Sequence, residues 1–134
     1  MAVFATDSQR FSNVVKFEFE PAIGTCRESI VINDAAATLT VGAVLGVVTA
    51  TGKYKVSKSA AADGSQVPAA VLIADVLGLS HDIALAANTD TKALVLARGP
   101  AIVSGPALQL GTGTTLAAAT TALKALGIIV EIAA

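Results

Sequence analysis

Two short apolar segments, joined by a polar and turn-rich stretch, constrain the fold of this chain most strongly. The segments are Val41–Ala50 and Ala69–Val76, and both contain several β-branched side chains. Such side chains are stiff and favour a pleated strand over a helix. Between the segments, Thr51-Gly52 and Asp63-Gly64 provide positions that tolerate positive φ, so the chain can reverse there. We therefore predict that two buried strands form the centre of a small β-rich domain.

The composition indicates a folded chain with an interaction surface. Hydrophobic residues make up 54% of the 134 residues and charged residues 14%, which argues against disorder and allows one domain with its own core. Because so few charges must cover so much surface, part of the exterior should be apolar, and such a patch usually marks an interface. Oligomerisation is therefore the first functional expectation.

The small number and the distribution of the charges argue against nucleic acid as a partner. A formal net charge of −1 is unlike that of a sequence-independent nucleic-acid binder, which needs clustered lysine and arginine. The one basic cluster, Lys53, Lys55 and Lys58, is better explained as the solvated face of a strand.

Two long uncharged runs, residues 35–52 and 99–123, are interrupted by glycine, and the second also by proline. We therefore predict no membrane-spanning segment.

Residues 1–33 differ from the rest of the chain because they contain all four phenylalanines. Within them, three apolar residues alternate with three charged ones, namely Val15, Phe17 and Phe19 with Lys16, Glu18 and Glu20. This period of two predicts a strand with one apolar and one charged face. The strand either forms a hairpin with a second predicted strand, Arg27–Ile32, on the domain's own core, or belongs to an arm that adds to a partner's sheet.

The C-terminal half predicts further strands and one helix. Strands are expected at Lys92–Arg98 and Ile128–Ile132, and a turn is expected at Asn88-Thr89-Asp90, after the stretch Ile83–Ala87. The short piece Ala101–Ser104 lies between Gly99-Pro100 and Gly105-Pro106, which predicts an edge strand or a loop. A helix is expected over Leu116–Leu126, with Leu116, Ala119, Leu123 and Leu126 as its apolar stripe. Thr114 or Thr115 would cap its start, and Gly127 fits the left-handed position after its end.

The sequence contains no convincing catalytic or metal-binding pattern. The run Gly46–Tyr54 has five residues between its glycines where a phosphate-binding loop needs four, and Tyr54 stands where that loop needs serine or threonine. His81 is the one histidine, and the adjacent Asp82 is poorly placed to orient it. Cys26 is the one cysteine, which excludes an internal disulfide. We predict no catalytic residue, no cofactor and no metal.

Several short motifs, taken together in their order and spacing, resemble the lambda-type phage head decoration proteins. They are Gly46 followed by Thr49–Tyr54, then Asp63–Gln66, then Ala70–Ile73 with Asp75-Val76, and Leu123–Val130 near the end. The resemblance spans roughly residues 40–134. It implies a mainly β, β-clip-like small domain with one short C-terminal helix and an extended N-terminal arm. Residues 1–33 would be the arm or hairpin, and residues 34–134 the decoration domain.

The resemblance also implies a function. Proteins of this kind bind the outer surface of the expanded head as homotrimers, contact the major capsid protein and stabilise the head without catalysis. The chain would be part of the virion after assembly in the host cytoplasm. We expect the arm to contact the capsid through Val15, Phe17 and Phe19. The alternatives are a β-sandwich adhesion or binding module on a surface structure, and a small enzyme subunit.

Overall fold

A computed structural model describes residues 14–18, 26–75 and 82–131. The fold is mainly β with one short C-terminal helix, as predicted. The strands are β1 Val15–Glu18, β2 Arg27–Ile32, β3 Ala37–Leu39, β4 Val44–Val47, β5 Tyr54–Val56, β6 Ala70–Asp75, β7 Ile83–Leu85, β8 Thr91–Leu96, β9 Ala101–Ser104 and β10 Ile128–Glu131. A 3₁₀ turn covers Gly105–Ala107, and the helix, α1, covers Leu116–Lys124.

Five strands close into a barrel in the order β2-β5-β4-β6-β8. β2 pairs antiparallel with β8 along all six of its residues, so Arg27–Ile32 is part of the barrel wall. The barrel closes between β2 and β5 at a single parallel pair, Ile32 with Tyr54. Outside the barrel, β3 and β7 form a two-stranded sheet, and β1, β9 and β10 form a three-stranded sheet.

The barrel strand β6 is buried on both faces, which explains its continuous apolar sequence. Leu72 packs among the side chains that fill the barrel. Val71 and Ile73 point the other way, into a second cluster that also contains residues of the three-stranded sheet and of α1. Strands covered on both faces are usually apolar at every position rather than at alternate ones. The central predicted strand therefore has a core on each side.

The turn at Asp63–Gln66 packs directly on β4. A methyl group at Gly46 would overlap the carbonyl of Ser65, so this position in the middle of a strand has room for glycine alone. The predicted reversals are confirmed, since Gly52 and Gly64 have φ values of 74° and 103°. The two apolar segments and the turns between them thus form one packed unit.

The prediction that Ala101–Ser104 is an edge strand or a loop is wrong. β9 is the middle strand of its sheet, antiparallel to β1 and parallel to β10. Pro100 precedes the strand and Pro106 lies in the 3₁₀ turn after it. Because neither proline lies within the strand, the backbone N–H groups of β9 remain able to pair on both sides.

α1 begins as predicted at a threonine cap. The Thr115 hydroxyl accepts a hydrogen bond from the Ala118 N–H at 3.1 Å, and Ala119 and Leu123 are fully buried. Gly127 has a φ of 86°, which confirms the left-handed position after the helix. Leu126 is 38% exposed, contrary to the predicted stripe, because the helix ends at Lys124 and Leu126 lies in the turn beyond it.

Candidate interaction surface

A β-bulge in β1 decides which side chains of the N-terminal strand face outwards. Val15 lies opposite Val103 and Phe17 lies opposite the next residue, Ile102, so Lys16 is an extra residue on β1. The predicted simple alternation is therefore wrong beyond this point. Val15 faces the core and is 7% exposed, whereas Phe17 faces outwards and is 49% exposed. Bulges re-aim side chains in this way because they shift the period of two by one residue.

Phe17 belongs to a row of apolar side chains across the outer face of the three-stranded sheet. Phe17 on β1 lies opposite Ile102 on β9, and Ile102 lies opposite Ile129 on β10. Ile102 is half-buried, and Ile129 is 54% exposed. We call these three residues the outer apolar row. Since each belongs to a different strand of one sheet, their side chains form a single surface rather than scattered contacts.

The inner face of the same sheet belongs to the core. The neighbouring residues of the three strands, Val15, Val103 and Val130, are each at most 7% exposed. Val15 and Val130 both lie opposite Val103, so these three valines form a row across the inner face. On β9 and β10 this inner row is one residue further along than the outer apolar row. The sheet is therefore held to the barrel by one face and presents the other face to the surroundings.

Glu18 and Arg27 form a two-pronged ion pair at the end of β1. Arg27 Nε donates to Glu18 Oε2 at 2.7 Å, and Arg27 Nη2 donates to Glu18 Oε1 at 2.9 Å. The Glu18 side chain is 3% exposed, although the predicted pattern placed it in solvent. The hydrogen bond to Glu18 and its negative charge outweigh burial and raise the pKa of Arg27. Glu18 is opposite Ala101 on the core side because the bulge moved it there.

A polar cleft of about 510 Å³ lies on another side of the barrel, beside the β4–β5 hairpin. Two of the three clustered lysines are paired with carboxylates, Lys53 with Asp90 at 2.9 Å and Lys55 with Asp63 at 3.3 Å. Asp34, also in its wall, accepts hydrogen bonds from the Ala35 and Val56 N–H groups. Among the residues that line the cleft, Asp34 and Asp63 balance Lys53 and Lys55. The run Gly46–Tyr54 forms the end of β4, a turn and the first residue of β5.

Asp63 organises the turn that packs on Gly46. Its Oδ1 accepts hydrogen bonds from the Ser65 hydroxyl at 2.6 Å and from the Ser65 N–H at 3.1 Å. These two bonds, together with Lys55, lower the pKa of Asp63 to about 2 from an ordinary value of 3.8. A carboxyl whose pKa is lower in the folded chain stabilises the fold above pH 3.8 and loses this effect as the pH falls to about 2.

We expect Asp63→Asn to lower the melting temperature at pH 7 and to lose this difference from the wild type in acid. The wild type should become less stable as the pH falls from about 4 to 2, whereas the variant has no charge to lose there. Melting followed by circular dichroism between pH 7 and pH 2 measures both curves. Glu131→Gln, at the exposed end of β10, is the matched control. A constant difference across this pH range would show that the Asp63 charge does not stabilise the turn.

The other residues considered from the sequence do not form a group suited to a metal where the structure describes them. Phe19 and His81 lie outside the described residues. Cys26 is buried, and its thiol donates to the Pro100 carbonyl at 3.5 Å. No group of three histidine, cysteine or acidic side chains suited to a metal occurs in residues 14–18, 26–75 and 82–131. In the same ranges no helix is long and apolar enough to cross a membrane.

The chain matches a protein-family model over most of its length. The family model of bacteriophage lambda head decoration protein D matches residues 5–130 of the 134-residue chain. The chain belongs to this family. The match includes α1 and all the strands given above except Glu131, the last residue of β10, and it therefore contains the outer apolar row. Among curated proteins and among solved structures, no match was found.

Membership of the head decoration family assigns the chain a role on the phage capsid. It is a structural protein of the virion, in agreement with the resemblance seen in the sequence. The sequence motifs pointed to the family but missed Ile102 and Ile129. Their exposure depends on the pairing of three strands that are distant in the chain, and no local pattern carries that information.

Proposed function

We propose that this protein binds the outer surface of the expanded phage head as a homotrimer and stabilises the head by contacting the major capsid protein. The observation that carries the proposal is the outer apolar row, an exposed apolar surface on a chain of the head decoration family. Three linked copies would raise the overall affinity about 10²–10⁴-fold over one contact. The role is one of binding, without catalysis, cofactor or nucleic acid.

The N-terminal residues take different parts in the proposed contact. Phe17 is the main contact residue, because a large aromatic side chain that is half exposed gains most from being covered by a partner. We keep Phe19 as a second contact. Val15 is buried in the chain's own sheet, so it would support the surface by holding β1 rather than touch the capsid.

The alternative of a β-sandwich adhesion module has no observation in its favour. Such a module is built from two sheets packed face to face. Here five strands close into a barrel, with a three-stranded sheet on its outside. We therefore retain the decoration function alone.

Adding the protein to expanded heads that lack it should raise the temperature at which the heads break. Contacts that bridge neighbouring capsid subunits stabilise the assembled head relative to its separated parts. Heating with and without added protein, followed by light scattering or release of packaged DNA, measures the effect. A protein that binds the heads but leaves this temperature unchanged would decorate without stabilising.

A further inference from the structure

We propose that the ion pair between buried Glu18 and partly exposed Arg27 holds β1 in its bulged register and thereby turns Phe17 to the outside of the sheet. The two residues would be positioning residues, because they act through the direction of another side chain. The register lock concerns the isolated chain. Its consequence for head binding rests on the proposed function of the outer apolar row.

The apolar pattern of β1 favours a different register from the one observed. Without the bulge, Lys16 would lie opposite Ile102 and Phe17 opposite Ala101, which is 2% exposed and on the core side. Phe17 would then point inwards with Val15, and Glu18 would point outwards. A shift by one residue exchanges the two faces of a strand in this way. The bulge therefore exposes a phenylalanine that the sequence pattern would bury.

The Glu18–Arg27 pair compensates for this exposure. Arg27 lies at the start of β2, in the barrel wall, and holds both carboxylate oxygens of Glu18 at 2.7 and 2.9 Å. Two-pronged bonds between charged groups are among the stronger and more directional hydrogen bonds. They require the Glu18 carboxylate to lie on the core side, which occurs with the bulge and not without it. Buried ion pairs are best attested as devices that select a register.

A single tryptophan at position 17 can report the direction of this side chain, because the chain contains no tryptophan of its own. In the otherwise unchanged protein, Phe17→Trp should show the red-shifted emission and strong acrylamide quenching of a solvent-exposed indole. Adding Glu18→Gln and Arg27→Met removes the ion pair without placing at position 18 an apolar side chain that would itself favour the core side. The emission should then shift to the blue, and the quenching constant should fall severalfold.

The same substitutions at a second ion pair provide the matched control. Arg98 Nη2 and Glu28 Oε2 lie 3.0 Å apart, and both side chains are about half exposed. Phe17→Trp with Glu28→Gln and Arg98→Met should keep the red-shifted emission, because this exposed pair joins β2 to the residues after β8. An indole that stays equally exposed after Glu18→Gln and Arg27→Met would overturn the proposal.

A more conservative variant decides the question if Glu18→Gln with Arg27→Met fails to fold by circular dichroism. Phe17→Trp with Glu18→Gln keeps the shape of the side chain but removes its charge. A partial blue shift supports the lock, and unchanged emission overturns it. Neither result depends on heads, so failure of the lock and failure of the proposed capsid contact can be told apart.

Discussion

Replacing Arg27 by methionine alone should lower the free energy of unfolding by about 3 kcal/mol. The substitution leaves the Glu18 carboxylate, 3% exposed, without its partner on the core side of the sheet. An unpaired buried charge costs far more than the net gain from the pair. We place the effect at the lower end of the range for buried pairs, because the Arg27 side chain is 31% exposed and water can reach it.

Urea unfolding followed by circular dichroism measures this loss. Arg98→Met is the matched control, since its pair with Glu28 is exposed and should contribute less than about 1 kcal/mol. Adding Glu18→Leu to Arg27→Met should restore most of the lost stability, because the uncompensated charge is then removed. If Arg27→Met destabilises no more than Arg98→Met, the pair contributes nothing beyond a surface contact.

Replacing Phe17 by alanine should weaken head binding about thirtyfold, which corresponds to a loss of roughly 2 kcal/mol. Truncating the Phe17 side chain removes most of the apolar area that the partner would cover at this position. The stability of the free protein should change by less than about 0.5 kcal/mol, because Phe17 is 49% exposed before binding. Co-sedimentation of labelled protein with expanded heads gives the affinity, and thermal melting gives the stability.

Val67→Ala is the control for this measurement. Val67 is 56% exposed but lies in the loop between β5 and β6, two strands of the barrel and not of the three-stranded sheet. It should bind heads like the wild type. Ile129→Ala, at the far end of the outer apolar row, should weaken binding in the same direction as Phe17→Ala. Full-affinity binding by Phe17→Ala together with weakened binding by Val67→Ala would place the contact elsewhere on the barrel.

Much of the strand structure could be predicted from local patterns. The predicted strand Arg27–Ile32 is β2 with the same bounds, and Ala69–Val76 contains β6. Val41–Ala50 contains a much shorter strand, β4, because Gly42 turns the chain with a φ of 103° and a turn follows at Thr49. Local sequence identifies apolar strands well, and their ends depend on turns that are set by packing.

The candidate surface was only partly predictable. Period-two patterning identified β1 but could not show the extra residue at Lys16, because a bulge depends on pairing with β9, more than eighty residues further along the chain. For the same reason the sequence assigned Glu18 to a solvated face and grouped Phe17 with Val15 on one apolar face, whereas the structure places these two side chains on opposite faces. Ile102 and Ile129 join Phe17 through strand pairing alone. The surface thus follows from tertiary structure, whereas its general apolar character follows from the composition.

Electron cryo-microscopy of expanded heads decorated with this protein tests the central claim most directly. We predict density for three copies at each three-fold position on the outer surface, with Phe17 and Ile129 within about 4.5 Å of side chains of the major capsid protein. A map in which the outer apolar row faces solvent, or is covered by another copy of this chain alone, would contradict the proposed contact.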